Sequence, residues 1–241
     1  MPTRRNGPVS SNVRPQEMPP LGAPIPKKLH ENGWARLQVT GSPEALFSIA
    51  ESLGTIVNQG SRPELSRLTP IDAASADPNT ASASYGTGRF PYHTDLAHWP
   101  KPPRFLVMGN ADTTSSVPTL LLDSRIPEIY DRISCLAERA LWRVTKTQHP
   151  FVCSTFLTGS KVNGIRWDLN VMSPLNDAAR MTVSDLTSVL ECGRPHREVS
   201  FDWHIPGTVL IIDNWRMLHA RPNVPQSESA RALYRVFISE S

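Results

Sequence analysis

The segment Phe90-Pro91-Tyr92-His93-Thr94-Asp95 sets an imidazole and a carboxylate two residues apart. On a strand, alternate residues share one face at roughly 6–7 Å along it, so both side chains can grip one ion. A third ligand must come from elsewhere. His219 is the candidate, because it closes the run Asp213-Asn214-Trp215-Arg216-Met217-Leu218-His219 directly after an apolar stretch over 209–212. Two histidines and one carboxylate leave half an octahedron open, which suits non-haem iron(II) and oxygen activation. A bare His-x-Asp carries little weight, since a solitary histidine is more often structural.

The elements that must hold these groups read as mostly strand. Residues 34–39 alternate as a strand, as do 165–171 and 230–238, while 105–108, 120–122 and 209–212 are short apolar runs. Residues 30–33 read as a turn. Ser42 reads as an N-cap with Pro43 at the first helical position, and Gly54 closes that helix. Its stripe is Ala45, Leu46, Ile49, Ala50 and Leu53. Further helices are expected over 124–140 and 182–193. Many strands, few helices and long loops point to a mainly β (α+β) fold, an antiparallel barrel or jelly roll with helices packed outside.

Residues 1–26 contain seven prolines and few large apolar groups. Such a segment buries too little surface to offset its ordering entropy, so a Pro-rich extended or disordered tail is expected there, with one domain over 27–241. Residues 1–28 hold five basic groups against Glu17, whereas the remaining chain holds 20 bases and 21 acids. The basic excess therefore belongs to the tail, and a nucleic-acid partner is not expected because the body lacks a basic face. Cys135, Cys153 and Cys192 have neither metal-ligand nor redox spacing, which reads as reduced thiols in a cytoplasmic protein. No run of about 18 apolar residues exists, so no membrane span is expected. Self-association into a homo-oligomer is left open.

The order of motifs resembles the taurine dioxygenase/TfdA-like superfamily over roughly residues 30–238. The run Leu210–Arg221 is similar to the distal-histidine segment of γ-butyrobetaine and trimethyllysine hydroxylases. The proximal stretch Pro91-Tyr92-His93-Thr94-Asp95-Leu96, followed by Pro102-Pro103-Arg104-Phe105, is similar to theirs as well. The resemblance implies a double-stranded β-helix with His93, Asp95 and His219 as the iron(II) triad and 2-oxoglutarate as co-substrate. It further implies that Arg231, twelve residues after His219, takes the far carboxylate of 2-oxoglutarate, helped by Thr119, 26 residues after His93. An arginine there provides a bidentate, charge-assisted clamp.

Arg235 shares the strand face of Arg231, where the trimethyllysine-type pattern has a glycine. This departure resembles taurine dioxygenase and implies an anionic substrate held by Arg235, with Arg166 as a second substrate-binding candidate. Arg166 and Asp168 share a face, and two readings stand for them, pairing with each other or lining the substrate pocket, the second being preferred. The segment Tyr85-Gly86-Thr87-Gly88-Arg89 reads first as a turn and second as a substrate cradle. His98 has the wrong parity to join the triad. Trp215 is a candidate to shape the pocket, while the resemblance gives Arg216 and Arg221 structural roles.

The expected activity is hydroxylation of an unactivated C–H of a small amino-acid-like or other anionic metabolite, using O2 and releasing succinate and carbon dioxide. The carboxylate Asp95 argues against halogenation, since related halogenases put a small residue there. Two other classes stand beside this reading: a zinc-type metal-dependent hydrolase on the same ligands, and a non-catalytic jelly-roll binding protein.

Overall fold

A computed structural model describes residues 27–39, 43–60, 62–78, 80–111, 113–158, 163–192 and 197–240. The expected tail over 1–26 and the Ser42 cap lie outside the described residues.

Five helices are described: α1 (Lys27–Asn32), α2 (Ala45–Leu53), α3 (Ala81–Tyr85), α4 (Pro127–Ala137) and α5 (Asp177–Cys192). The strands begin with β1 (Trp34–Gln38), β2 (Thr55–Ile56), β3 (Ser66–Leu68), β4 (Phe90–His93), β5 (Phe105–Gly109) and β6 (Ser115–Asp123). They continue with β7 (Leu141–Val144), β8 (Phe151–Ser154), β9 (Phe156–Thr158), β10 (Asn163–Ile165) and β11 (Met172–Pro174). The last four are β12 (Val199–Trp203), β13 (Thr208–Asp213), β14 (Met217–Arg221) and β15 (Leu233–Ser239).

Two antiparallel sheets form the frame. The larger runs β1-β13-β5-β15-β2, with β3 also paired to β15, and the smaller runs β12-β6-β14-β4. Side chains alternate across each strand. From the larger sheet, Leu106, Met108, Leu210, Ile212, Leu233 and Phe237 face Leu121, Phe201, Trp203 and Met217 of the smaller one. Their neighbours Val107, Val209, Ile211, Val236 and Ile238 point the other way and pack on Leu29, Leu46, Ile49, Ala50 and Leu53 of α1 and α2. Both faces of β13 are thus covered, which is why residues 209–212 read as an unbroken apolar run. The smaller sheet is backed by a second apolar layer, where Leu122, Leu218 and Ala220 meet Ile129 and Ile133 of α4 and Leu186 of α5. Truncating a fully buried residue such as Phe237 removes about 3–5 kcal/mol. The architecture is the expected jelly roll with helices outside.

Several expected boundaries move. Residues 30–33 are not a free turn: α1 carries Leu29 into the core, and Gly33 closes it at φ 78° with its N–H on Leu29 O. Helix α2 starts at Ala45, with Glu44 at its N-cap, and α4 starts at Pro127, whose fixed φ suits a first helical position. Helix α5 starts five residues earlier than 182, because Asn176 Oδ1 accepts the Ala179 N–H at 2.9 Å as a cap.

The expected strand over 165–171 is also corrected. Only Asn163–Ile165 pairs with β9; the chain is then irregular and turns at 169–171. Its backbone groups go elsewhere: Ile165 N–H donates to Trp215 O, and Arg166 N–H to Thr155 O, both at 2.7 Å. Gly164 permits this approach, since a Cβ there would lie 2.4 Å from Trp215 Cβ. Strand β15 starts at Leu233, so Arg231 sits just before it, its N–H on Glu228 O.

Candidate metal centre and its cavity

His93 and His219 are brought together by strand pairing: β4 and β14 run antiparallel with the two histidines in register. Their rings lie 4.3 Å apart, centroid to centroid. Asp95 is not on β4, as the two-residue spacing suggested, but in the turn after it. Thr94 N–H donates to Trp167 O at 2.7 Å and Thr94 Oγ1 to Ile165 O at 3.0 Å, which peels the chain off the sheet. Leu96 then takes φ 53°, a costly left-handed conformation for a branched side chain.

The result is a compact donor set. One ligand atom from each of His93, Asp95 and His219 lies within 4.8 Å of the others, and all three residues are buried. His93 Nε2 is 3.5 Å from Asp95 Oδ1, and His219 Nε2 is 3.4 Å from Asp95 Oδ2. His93 Nδ1 is 3.0 Å from Pro91 O. A proton on that nitrogen leaves Nε2 with its lone pair aimed at the shared point, as metal-binding histidines require. The residues present therefore fit a divalent ion of the kind bound by two imidazoles and a carboxylate.

Charge around the triad is tightly coupled. Burial alone would raise the Asp95 carboxyl, but Arg235 and hydrogen bonds from His219 and His93 outweigh it and hold Asp95 well below the usual carboxylate range. Burial also lowers the His219 imidazole, and neighbouring His93 lowers it further.

Asn214 is the residue that sequence reasoning left without a role. Its Oδ1 accepts the Asp95 N–H at 2.8 Å, and its Nδ2 donates to Asp95 O at 3.0 Å and Pro103 O at 2.9 Å. It fixes the turn that presents the carboxylate. The available signal was its place in the distal-histidine segment, five residues before His219.

A cavity of about 540 Å³ opens over the triad. Thr119, Arg231, Leu233 and Arg235 line it together with His93, Asp95 and His219. Arg231 is buried, its Nε–H donates to Ser115 Oγ at 3.1 Å, and burial pushes its pKa down to about 10, so it stays cationic at neutral pH. Thr119 Oγ1 accepts from Trp203 Nε1 at 3.1 Å, which leaves its hydroxyl proton for a further acceptor. Both residues expected at the co-substrate site thus share the triad's cavity.

The two residues expected to bind substrate are placed differently. Arg166 does not line the cavity. It is 2% exposed, and Nη1 donates to Ala97 O and Trp99 O at 2.5 and 2.6 Å, while Nη2 donates to Pro100 O at 2.7 Å. Its guanidinium staples the loop after Asp95, because three carbonyls there have no sheet partner. Arg235 does line the cavity, but its Nη1 donates to Asp95 Oδ2 at 2.8 Å, so its charge is engaged by the metal-site carboxylate.

Asp168 faces the cavity, its carboxyl raised by burial even though His93 pulls the other way. His98 lines it as well. Trp215 does not: it is 1% exposed, donating from Nε1 to Pro102 O at 3.0 Å. Residues 86–88 form a turn, held by Arg221 Nη2 on Gly86 O and Gly88 O at 2.9 and 2.7 Å. Arg216 is structural, linking α1 to β6 through His30 O, Glu31 O and Asp123 Oδ2.

No protein-family model matches the chain, and no curated protein matches it. Solved structures do. The chain is similar to the non-heme iron oxygenase OrfP in complex with Fe, succinate and (3S)-hydroxy-L-Arg, at 18% identity and TM-score 0.67, over 89% of this chain and 79% of that one. It is also similar to an asparagine oxygenase in complex with Fe(II), 2S,3S-3-hydroxyasparagine and succinate, at 15% identity and TM-score 0.64, over 86% of this chain and 74% of that one. A further OrfP structure, with Fe and alpha-ketoglutaric acid, gives 18% identity and TM-score 0.66 over 89% of this chain and 77% of that one. These likenesses establish the fold as the double-stranded β-helix of such oxygenases.

Proposed function

We propose that the chain is an iron(II)- and 2-oxoglutarate-dependent oxygenase that hydroxylates an unactivated C–H of a small amino-acid-like metabolite. The observation that carries this reading is the triad His93, Asp95 and His219 on a cavity that also holds the buried cation Arg231. A zinc-type hydrolase would use the same three ligands but would leave Arg231 and Thr119 without a task. The fold of oxygenases crystallised with iron, alpha-ketoglutaric acid and succinate supports the same reading.

His93, Asp95 and His219 hold the iron, and the bound iron and 2-oxoglutarate supply the oxidising power from O2. Arg231 clamps the far carboxylate of the co-substrate, and Thr119 donates its hydroxyl proton to the same group. Asn214 and Arg166 fix the turn that carries Asp95, and Arg235 neutralises and aims its carboxylate. Asp168 offers a second carboxylate to the cavity, suited to a substrate ammonium. The hydroxylated amino acids bound in the OrfP and asparagine oxygenase structures support that substrate class.

Among the described residues no helix is long and apolar enough to cross a membrane, and Cys135 and Cys153 are free thiols. The free thiols fit the proposed setting, the reducing cytoplasm.

The test is an anaerobic titration of the full chain with Fe(II) and 2-oxoglutarate, read by the visible charge-transfer band of the chelate. The wild type gives the band and His93→Ala does not. A folded wild type that takes up iron and gives no band with 2-oxoglutarate overturns the proposal.

A further inference from the structure

The cavity has more cations than the triad and co-substrate use. Arg235 is engaged by Asp95, Arg221 by the carbonyls of 86 and 88, and Arg231 by its proposed co-substrate. One guanidinium remains on the cavity wall. Arg62 comes from the segment between β2 and β3, lines the cavity, and among the described residues has no ion-pair partner, whereas Arg67, on β3, is in register with Tyr234 and so shares the helix-side face of the sheet.

Two further groups stand with Arg62. Gln59 bridges backbone to backbone with Arg62, and its side-chain Nε2 is buried on the cavity wall with no acceptor among the described residues. A buried donor left without an acceptor costs about 1–3 kcal/mol, and an incoming acceptor recovers that. His98 is half-buried at the same wall. Burial first, and the charge of Arg62 second, push its imidazole down. The group is thus rich in N–H donors and carries the unpaired positive charge of Arg62, a composition that binds a small oxyanion.

We propose that Gln59, Arg62 and His98 form the anion subsite of this cavity and hold the carboxylate of the substrate. The proposal rests on the oxygenase reading for the word substrate, and it moves anion recognition from Arg235 and Arg166 to the β2–β3 segment.

The test uses inorganic sulfate as the oxyanion probe. The full chain is loaded anaerobically with Fe(II) and saturating 2-oxoglutarate, so that Arg231 and the metal are occupied, and sulfate binding is measured by titration calorimetry. The wild type takes up one sulfate per chain. Arg62→Gln weakens it roughly tenfold, as loss of one charge-assisted contact predicts, and the Gln59→Leu/Arg62→Gln pair weakens it further. Arg132→Gln, an equal charge loss on the exposed side of α4, changes nothing. Sulfate that fails to bind the wild type, or binds the double variant equally well, overturns the subsite. The charge-transfer band in the same samples reports the oxygenase reading separately. If the wild type lacks the band, that reading fails, and the same comparison on the metal-free chain still decides the subsite.

Discussion

At the triad end of the cavity the guanidiniums of Arg235 and Arg221 are engaged, by Asp95 and by the carbonyls of 86 and 88, whereas at the β2–β3 end that of Arg62 is not. The triad is set by two paired strands and by a turn whose backbone is bonded to Asn214, Trp167 and Ile165. Among the described residues, the β2–β3 segment is held by the short pairings of β2 and β3 on β15 and by one backbone bridge. Chemistry at a metal needs ligands fixed within tenths of an ångström, and a rigid frame provides that. Recognition of a diffusing substrate needs exposed charge with room to adapt, and a loop provides that.

The sharpest way to break this comparison is at Arg166, which the structure places in the frame. Arg166→Met strips three carbonyls of their donor and should lower unfolding free energy by at least about 3 kcal/mol. The measurement is the urea midpoint. A variant with unchanged stability and only a raised KM for substrate would return Arg166 to the recognition end.

Arg231 tests the middle of the cavity. Arg231→Ala should weaken 2-oxoglutarate by about 2–4 kcal/mol, since it leaves a desolvated carboxylate unpaired. Thr119→Val should weaken it by about 1 kcal/mol. Titration of the charge-transfer band at fixed iron reads both, and equal effects would deny Arg231 its place as the principal clamp.

Asn214→Ala should reduce Fe(II) affinity roughly 10–100-fold, the range expected when a group that orients a ligand is lost. Direct iron titration checks it, and an unchanged affinity would mean that the turn after β4 holds its shape without this amide.

The smallest effect lies outside the cavity. Asp202 is held below its usual value first by the Arg36 hydrogen bond at 3.0 Å, and both side chains are about two-fifths exposed. A lowered carboxylate pKa gives stability that is present above the unfolded value and fades as pH falls through the folded one. Arg36→Gln should therefore cost under about 1 kcal/mol at pH 7, and the difference from wild type should vanish in acid. A cost that persists in acid would show that the packing of Arg36 on Phe201, 4.7 Å from its ring, matters more than the charge pair.

Much of the triad was legible because its signals are local. His93 and Asp95 are two residues apart, and His219 ends a segment whose apolar run announces a buried strand. The face shared by Arg231, Leu233 and Arg235 was legible too, since alternation survives even though Arg231 lies just before the strand. The assignment of Arg166 and Asp168 was harder. Residues 165–171 alternate like a strand, yet their backbone bonds go to Thr94, Thr155 and Trp215, partners 11 to 73 residues away.

The amino-acid sequence by itself determined which residues have metal-binding chemistry, which stretches alternate, and where the apolar mass must be buried. These follow from residue type and period, which are properties of neighbours along the chain. Only the tertiary structure decided which cations are spent and which are free. Arginine carries the same charge at 62, 166 and 235, and whether a carbonyl, a carboxylate or an open cavity faces it depends on segments far away in sequence.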